Sequence, residues 1–258
     1  METSGNVLKT RIIPTLLFRE FGLVKGVSFN SWRGVGSAMQ AVKVYNLREV
    51  DELIFVDITA TRDKCPPDFD TVDELADECF MPLTVGGGVR NVEHARHLLA
   101  VGADKISVGT AAIETPQLVE EIATKFGSQC VVVSIDYRRN SNGSLEVFSH
   151  CGTVSTGLNP VDFARQMESR GAGEFLLQSI DRDGTMEGYD IVATRAVCEA
   201  VKVPVIASGG AGSYEHMAKV ILEAGAAAVA AASMFHFTQQ TPLEAKKYLA
   251  TCGIPVRL

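Results

Sequence analysis

The stretch PLTVGGGVRNVEHARHLLAVGADKI, Pro82 to Ile106, returns as PVIASGGAGSYEHMAKVILEAGAAAV, Pro204 to Val229, starting 122 positions later. In each copy a short apolar run ends in glycines, an amphipathic stretch follows, and a Gly-Ala pair opens the next apolar run. That order is strand, glycine turn, helix, strand. Glycines between a strand and a helix let backbone N–H groups gather around an anion, and the helix dipole favours negative charge at the same point. Two copies predict two phosphate sites, one in each half of the chain.

Outward from the repeat, eight apolar runs bounded by turn residues read as strands: 11–17, 53–58, 82–86, 104–108, 130–136, 174–179, 204–208 and 227–231. Between them lie stretches with helical spacing, such as Val92, Ala95, Leu98 and Leu99. Nearly continuous apolar strands alternating with helices imply a parallel sheet covered on its outer face. Eight strands in two matching halves predict an α/β fold, a single (β/α)8 TIM barrel spanning 1–258, with residues 1–10 as an N-terminal extension. The 258 residues fit the ~250 such a barrel uses. Pro14 inside the first run is the discordant residue, expected as a bulge or a strand-end irregularity.

A net charge of −7 disfavours nucleic acid or an anionic membrane as the main partner, though not a small phosphorylated ligand held by local dipoles. Six cysteines without C-x-x-C spacing read as reduced thiols of a soluble, cytoplasmic protein, with neither a metal set nor a cofactor motif. In such a barrel the active site lies where the strands end. Those positions include Leu17, Asp57, Gly87, Gly88, Gly109, Thr110, Asp136, Ser208, Gly209, Gly210 and Ser233. The DRDGT loop, 181–185, adds Asp181, Asp183 and Gly184. Glycines, hydroxyls and carboxylates on one rim suit a phosphosugar, with Asp136 a proton-handling candidate because the following YRRNSNG reads as a turn. His94 and His216, matched on helices of the repeat, read as packing residues.

RIIP near the start, LVKG (23–26), VDITAT (56–61), LTVGGGVR (83–90), ADKIS (103–107), FGSQCVVVSID (126–136), SIDRDGT (179–185), GYD (188–190), IASGGAG (206–212) and the closing IPVRL together resemble the cyclase subunit of imidazole glycerol phosphate synthase, the HisF family. The resemblance implies a HisH-type glutaminase docked on the N-terminal face and ammonia crossing the barrel. At the opposite rim it implies conversion of the ribotide PRFAR to imidazole glycerol phosphate and AICAR. It places Arg11, Glu52, Lys105 and Glu174 as an ammonia gate, keeps Lys25 in the substrate site, and puts Asp136 as one of two catalytic carboxylates.

The other carboxylate, at the end of the first strand, is here Leu17. Gly109 and Gln178 also depart from the family's Asn and Thr. Loss of an acid or base removes assistance worth roughly 10²–10⁴ in rate. The chain is therefore expected to be a poor cyclase, and it resembles family paralogues associated with surface polysaccharide synthesis; that resemblance implies ammonia relayed for sugar amidation, with a sugar amidotransferase as a further partner. The alternatives are an authentic cyclase working through Asp136, helped by Asp181 or Asp183, and a scaffold that only activates the glutaminase.

Overall fold

The computed structural model describes residues 8–20 and 22–258; residues 1–7, most of the expected extension, lie outside it. Twelve strands follow one another: β1 (Arg11–Arg19), β2 (Gly22–Val27), β3 (Asn30–Gly36), β4 (Leu53–Asp57), β5 (Leu83–Gly86), β6 (Lys105–Val108), β7 (Val131–Arg139), β8 (Leu145–Ser149), β9 (Val154–Ser155), β10 (Glu174–Ser179), β11 (Val205–Ser208) and β12 (Ala228–Ala231). Eight of them, β1, β4, β5, β6, β7, β10, β11 and β12, pair in parallel, and the β10–β7 pairing closes the ring. The eight runs read from the sequence are these eight strands, and the fold is the expected (β/α)8 barrel. Six of the helices outside it start at side-chain caps: Asp68, Asn91, Asn159, Asp190, Ser213 and Thr241 each accept a backbone N–H of the first turn.

Strand parity positions everything that follows, because alternate residues face opposite sides of a sheet. Ile13, Ile54, Val132, Leu176, Ile206, Ala228 and Ala230 form one cluster of their own, the barrel interior. Their odd or even neighbours, such as Ile12, Leu53, Val131 and Val133, pack outward against the helices. The inward column of β1 is therefore Arg11, Ile13, Thr15 and Leu17, and that of β7 is Val132, Ser134 and Asp136.

Pro14 corrects the expectation made of it. It lies inside β1 with no shift of register, and it is neither a bulge nor the strand's end. β1 pairs with β12 over Arg11–Pro14 and with β4 over Thr15–Phe18, so the missing N–H falls where hydrogen bonding passes from one neighbour to the other. YRRNSNG also differs: Tyr137–Arg139 prolong β7, and only the residues after them turn. The antiparallel partner β8 supplies the hydrogen bonds that let the strand continue past Asp136. The first half carries the corresponding hairpin, β2–β3, beside the end of β1.

Candidate functional site

At the N-terminal mouth, the four charged residues that begin β1, precede β4, begin β6 and begin β10 meet as a closed ring. Arg11 donates to Glu52 at 2.6 Å and to Glu174, and Lys105 lies 3.0 Å from Glu52 and 2.8 Å from Glu174. Each carboxylate thus faces two cations, and Thr84 Oγ1 adds a 2.8 Å bond to Glu52. Burial opposes the charge on Arg11, but the bonds from Glu174 and Glu52 outweigh it and hold the guanidinium cationic. Beside the ring is a buried pair with no counterpart in the sequence reading. Asp51 lies 2.9 Å from Lys246 of the helix Pro242–Thr251 and also accepts the Ile12 N–H.

At the other end, a cavity of about 510 Å³ opens among the strand ends. Its wall carries Asp136, Lys25, Gly87, Gly88, Thr110, Asp183, Gly184, Ser208, Gly209, Gly210 and Ser233, together with Leu17, Gly109 and Gln178. Asp181 stands apart from that wall: it is exposed and accepts the backbone N–H of Arg139 at 2.9 Å, with Arg138 3.3 Å away.

The two glycine turns have matching backbones. Gly87 and Gly88 have φ of 103° and 71°, Gly209 and Gly210 of 91° and 104°. A Cβ on Gly87 would collide with the carbonyl oxygen of Asp57, and one on Gly209 would lie 2.6 Å from that of Ser179. These glycines are demanded both by dihedral and by close approach. His94 braces the first turn from behind, its Nδ1 3.2 Å from the Gly88 carbonyl, whereas Nδ1 of its repeat partner His216 is buried without a partner. Gly109 is different: a Cβ there would meet nothing nearer than Ser134 Cβ at 3.6 Å. Sterics do not exclude a larger residue at that position.

Polar groups on this wall fall into two sets. Lys25 and Asp183 satisfy each other, Nζ lying 2.8 Å from both carboxylate oxygens, and Asp57 is absorbed in bonds from Thr59 and Ala60. The second set is open. Asp136 has one bond, from Ser134 Oγ at 3.1 Å, and no cation within ion-pair range; burial, with Asp183 adding, pushes its carboxyl up to about 6. Ser233 Oγ and Thr15 Oγ1 are buried with no partner among the described residues. A buried hydroxyl left unpaired beside a glycine turn is what an anion site presents before its ligand arrives.

Among the wall residues that escaped the sequence reading are Phe29 and Trp32 on the β2–β3 hairpin, and His150 and Cys151 after β8. Ser28, Phe29, His150 and Cys151 all have left-handed backbones, φ 49° to 59°. Their one visible signal is placement 122 positions apart, the spacing of the glycine repeat. Among the described residues no group of three or more His, Cys, Asp or Glu is arranged to hold a metal ion, and no helix is long and apolar enough to cross a membrane. Residues 11–241 match the family described as histidine biosynthesis protein.

Proposed function

The chain belongs to the histidine biosynthesis protein family, and from that premise we propose that it is an ammonia-relaying barrel whose partner is a HisH-type glutaminase on the N-terminal face. Ammonia enters through the ring of Arg11, Glu52, Lys105 and Glu174 and travels past the uncharged interior to the rim cavity. The observation that carries this reading is the contrast between a complete charged ring at one mouth and a missing acid, Leu17, at the other. Between them the wall is Ile13, Ile54, Val132, Leu176 and Ala228, fully or nearly fully buried, which suits neutral ammonia and repels ammonium. The product is assigned, from the resemblance, to amidation of a sugar for surface polysaccharide, completed with a separate amidotransferase.

The test pairs the purified chain with a HisH-type glutaminase and glutamine. Glutamine-dependent ammonia should appear at the rim while PRFAR is consumed far more slowly than by a family member with both carboxylates. Rapid ring closure from PRFAR and ammonia would overturn the reading. Lys105→Ala should uncouple glutamine hydrolysis from delivery; unchanged delivery by an intact complex would leave only a scaffold.

A second reading, an authentic cyclase, is favoured by the Asp136 carboxyl, pushed up to about 6, and by the unpaired Ser233 hydroxyl at the second-half cradle. Under it Leu17→Asp changes the rate little, whereas under the relay reading that substitution raises PRFAR consumption.

A further inference from the structure

Leu17 leaves the cavity one carboxylate short, yet the same wall carries a held imidazole. His150 follows β8 directly, with φ 50°, and Cys151 after it has φ 55°. Consecutive left-handed residues that are not glycine are strained and persist where surrounding bonds over-determine them. His150 has such bonds. The His150 N–H donates to Thr110 Oγ1 at 2.9 Å, tying the residue to the first-half cradle. Ring Nδ1 lies 3.1 Å from Oγ of buried Ser149, and ring Nε2 lies 3.5 Å from a carboxylate oxygen of Glu114, itself on the cavity wall.

A hydroxyl on one ring nitrogen and a carboxylate near the other orient an imidazole. Of the other charged groups on the wall, Arg62 pairs with Asp63 and Lys25 with Asp183. Cys151, its chain neighbour, is pushed up to about 11 by burial, with Asp136 and Asp57 adding, and stays a thiol at neutral pH.

We propose that His150 is the proton-transfer partner of Asp136 in this cavity, taking the part that a carboxylate at position 17 would play. Ammonia forms a C–N bond at an electrophilic carbon of a phosphorylated ligand, and the π bond of that carbon to its oxygen or nitrogen breaks. The new ammonium nitrogen gives a proton to the Asp136 carboxylate. The His150 imidazolium gives its Nε2 proton to the atom that received the π electrons. Solvent returns the proton from Asp136 to His150. The proposal rests only on that part of the functional reading that brings ammonia to the cavity.

The test uses the full chain with ring-¹⁵N histidine and ¹³C-carboxyl aspartate, the His150 and Asp136 signals being assigned by their loss in His150→Asn and Asp136→Asn. Asparagine tolerates the left-handed backbone, so the first variant keeps the fold. The probe is imidazole glycerol phosphate. It should shift the His150 ring signal and raise its titration midpoint. With PRFAR and ammonium chloride, His150→Asn should lower whatever rate the wild type shows by roughly 10²-fold or more and flatten one limb of the pH profile, with free imidazole restoring part of it.

A His150 ring that ignores the probe while the Asp136 carboxyl responds, or a variant with the wild-type rate and profile, overturns the proposal and leaves the ammonia reading standing. If neither signal responds, the cavity does not take a phosphorylated ligand and the proposal falls. Delivery of ammonia to the rim, measured with the glutaminase, then decides the functional reading separately. Where PRFAR consumption is below detection, the ring signal alone decides.

Discussion

The two mouths of the barrel solve opposite problems. At the N-terminal mouth the ring carboxylates are matched: Glu52 and Glu174 each face Arg11 and Lys105, and Asp51 faces Lys246. At the C-terminal mouth Asp136, Ser233 and Thr15 keep free hydrogen-bonding capacity in a cavity. The first mouth is satisfied without a ligand and the second is not. That difference separates charges spent on one another from polar groups left with free hydrogen-bonding capacity in a cavity.

The comparison is broken most strongly at the satisfied end. Lys246→Met leaves Asp51 buried with only a backbone donor, and should lower stability by about 3–5 kcal/mol in urea unfolding. A loss below about 1 kcal/mol would mean that the pair is not closed in solution. At the open end the rigid part is the glycine turn. Gly209→Ala forces a side chain onto φ 91° and against the Ser179 carbonyl, at a cost of roughly 1–3 kcal/mol by thermal unfolding, together with loss of phosphate binding.

Asp136→Asn should act with the opposite sign. A carboxyl raised to about 6 binds its proton more tightly folded than unfolded, so its contribution is favourable below about pH 4 and is lost as pH rises through 6. The variant should therefore be more stable than the wild type above pH 7, by roughly 2 kcal/mol, with the gap closing toward pH 4. Urea curves at pH 8 and pH 4 check the sign; equal gaps at both would place the effect in packing and not in titration. The smallest effect belongs to Ser233→Ala. Without ligand it should change stability by less than about 1 kcal/mol, since no bond is lost, but it should abolish the rise in unfolding temperature caused by inorganic phosphate.

Periodicity and the repeat made the barrel legible. Runs such as EFLLQS and LIFVDI are apolar on both faces, which only a strand covered outside and filled inside can use, and the glycine pairs declare a backbone that no other residue adopts cheaply. The charged ring was legible only through the resemblance, because nothing local in Arg11, Glu52, Lys105 and Glu174 says that they converge. Asp136 could be picked out as a strand-end acid, although its strand runs on to Arg139. Asp181 and Asp183, alike in the sequence, face different ways: one ties the β7–β8 hairpin, the other joins Lys25 on the cavity wall.

By itself the chain's sequence determined the eight-stranded α/β architecture, the two phosphate-type turns and the absence of an acid at Leu17, since each depends on local pattern or on one residue's chemistry. Tertiary structure alone decided which charges are spent on one another, how far β7 continues, and that His150 and Ser149 meet Glu114 and Thr110 across the first-half rim. Those outcomes depend on distances between segments far apart in the chain, set by barrel closure and strand parity, and no window of sequence contains them.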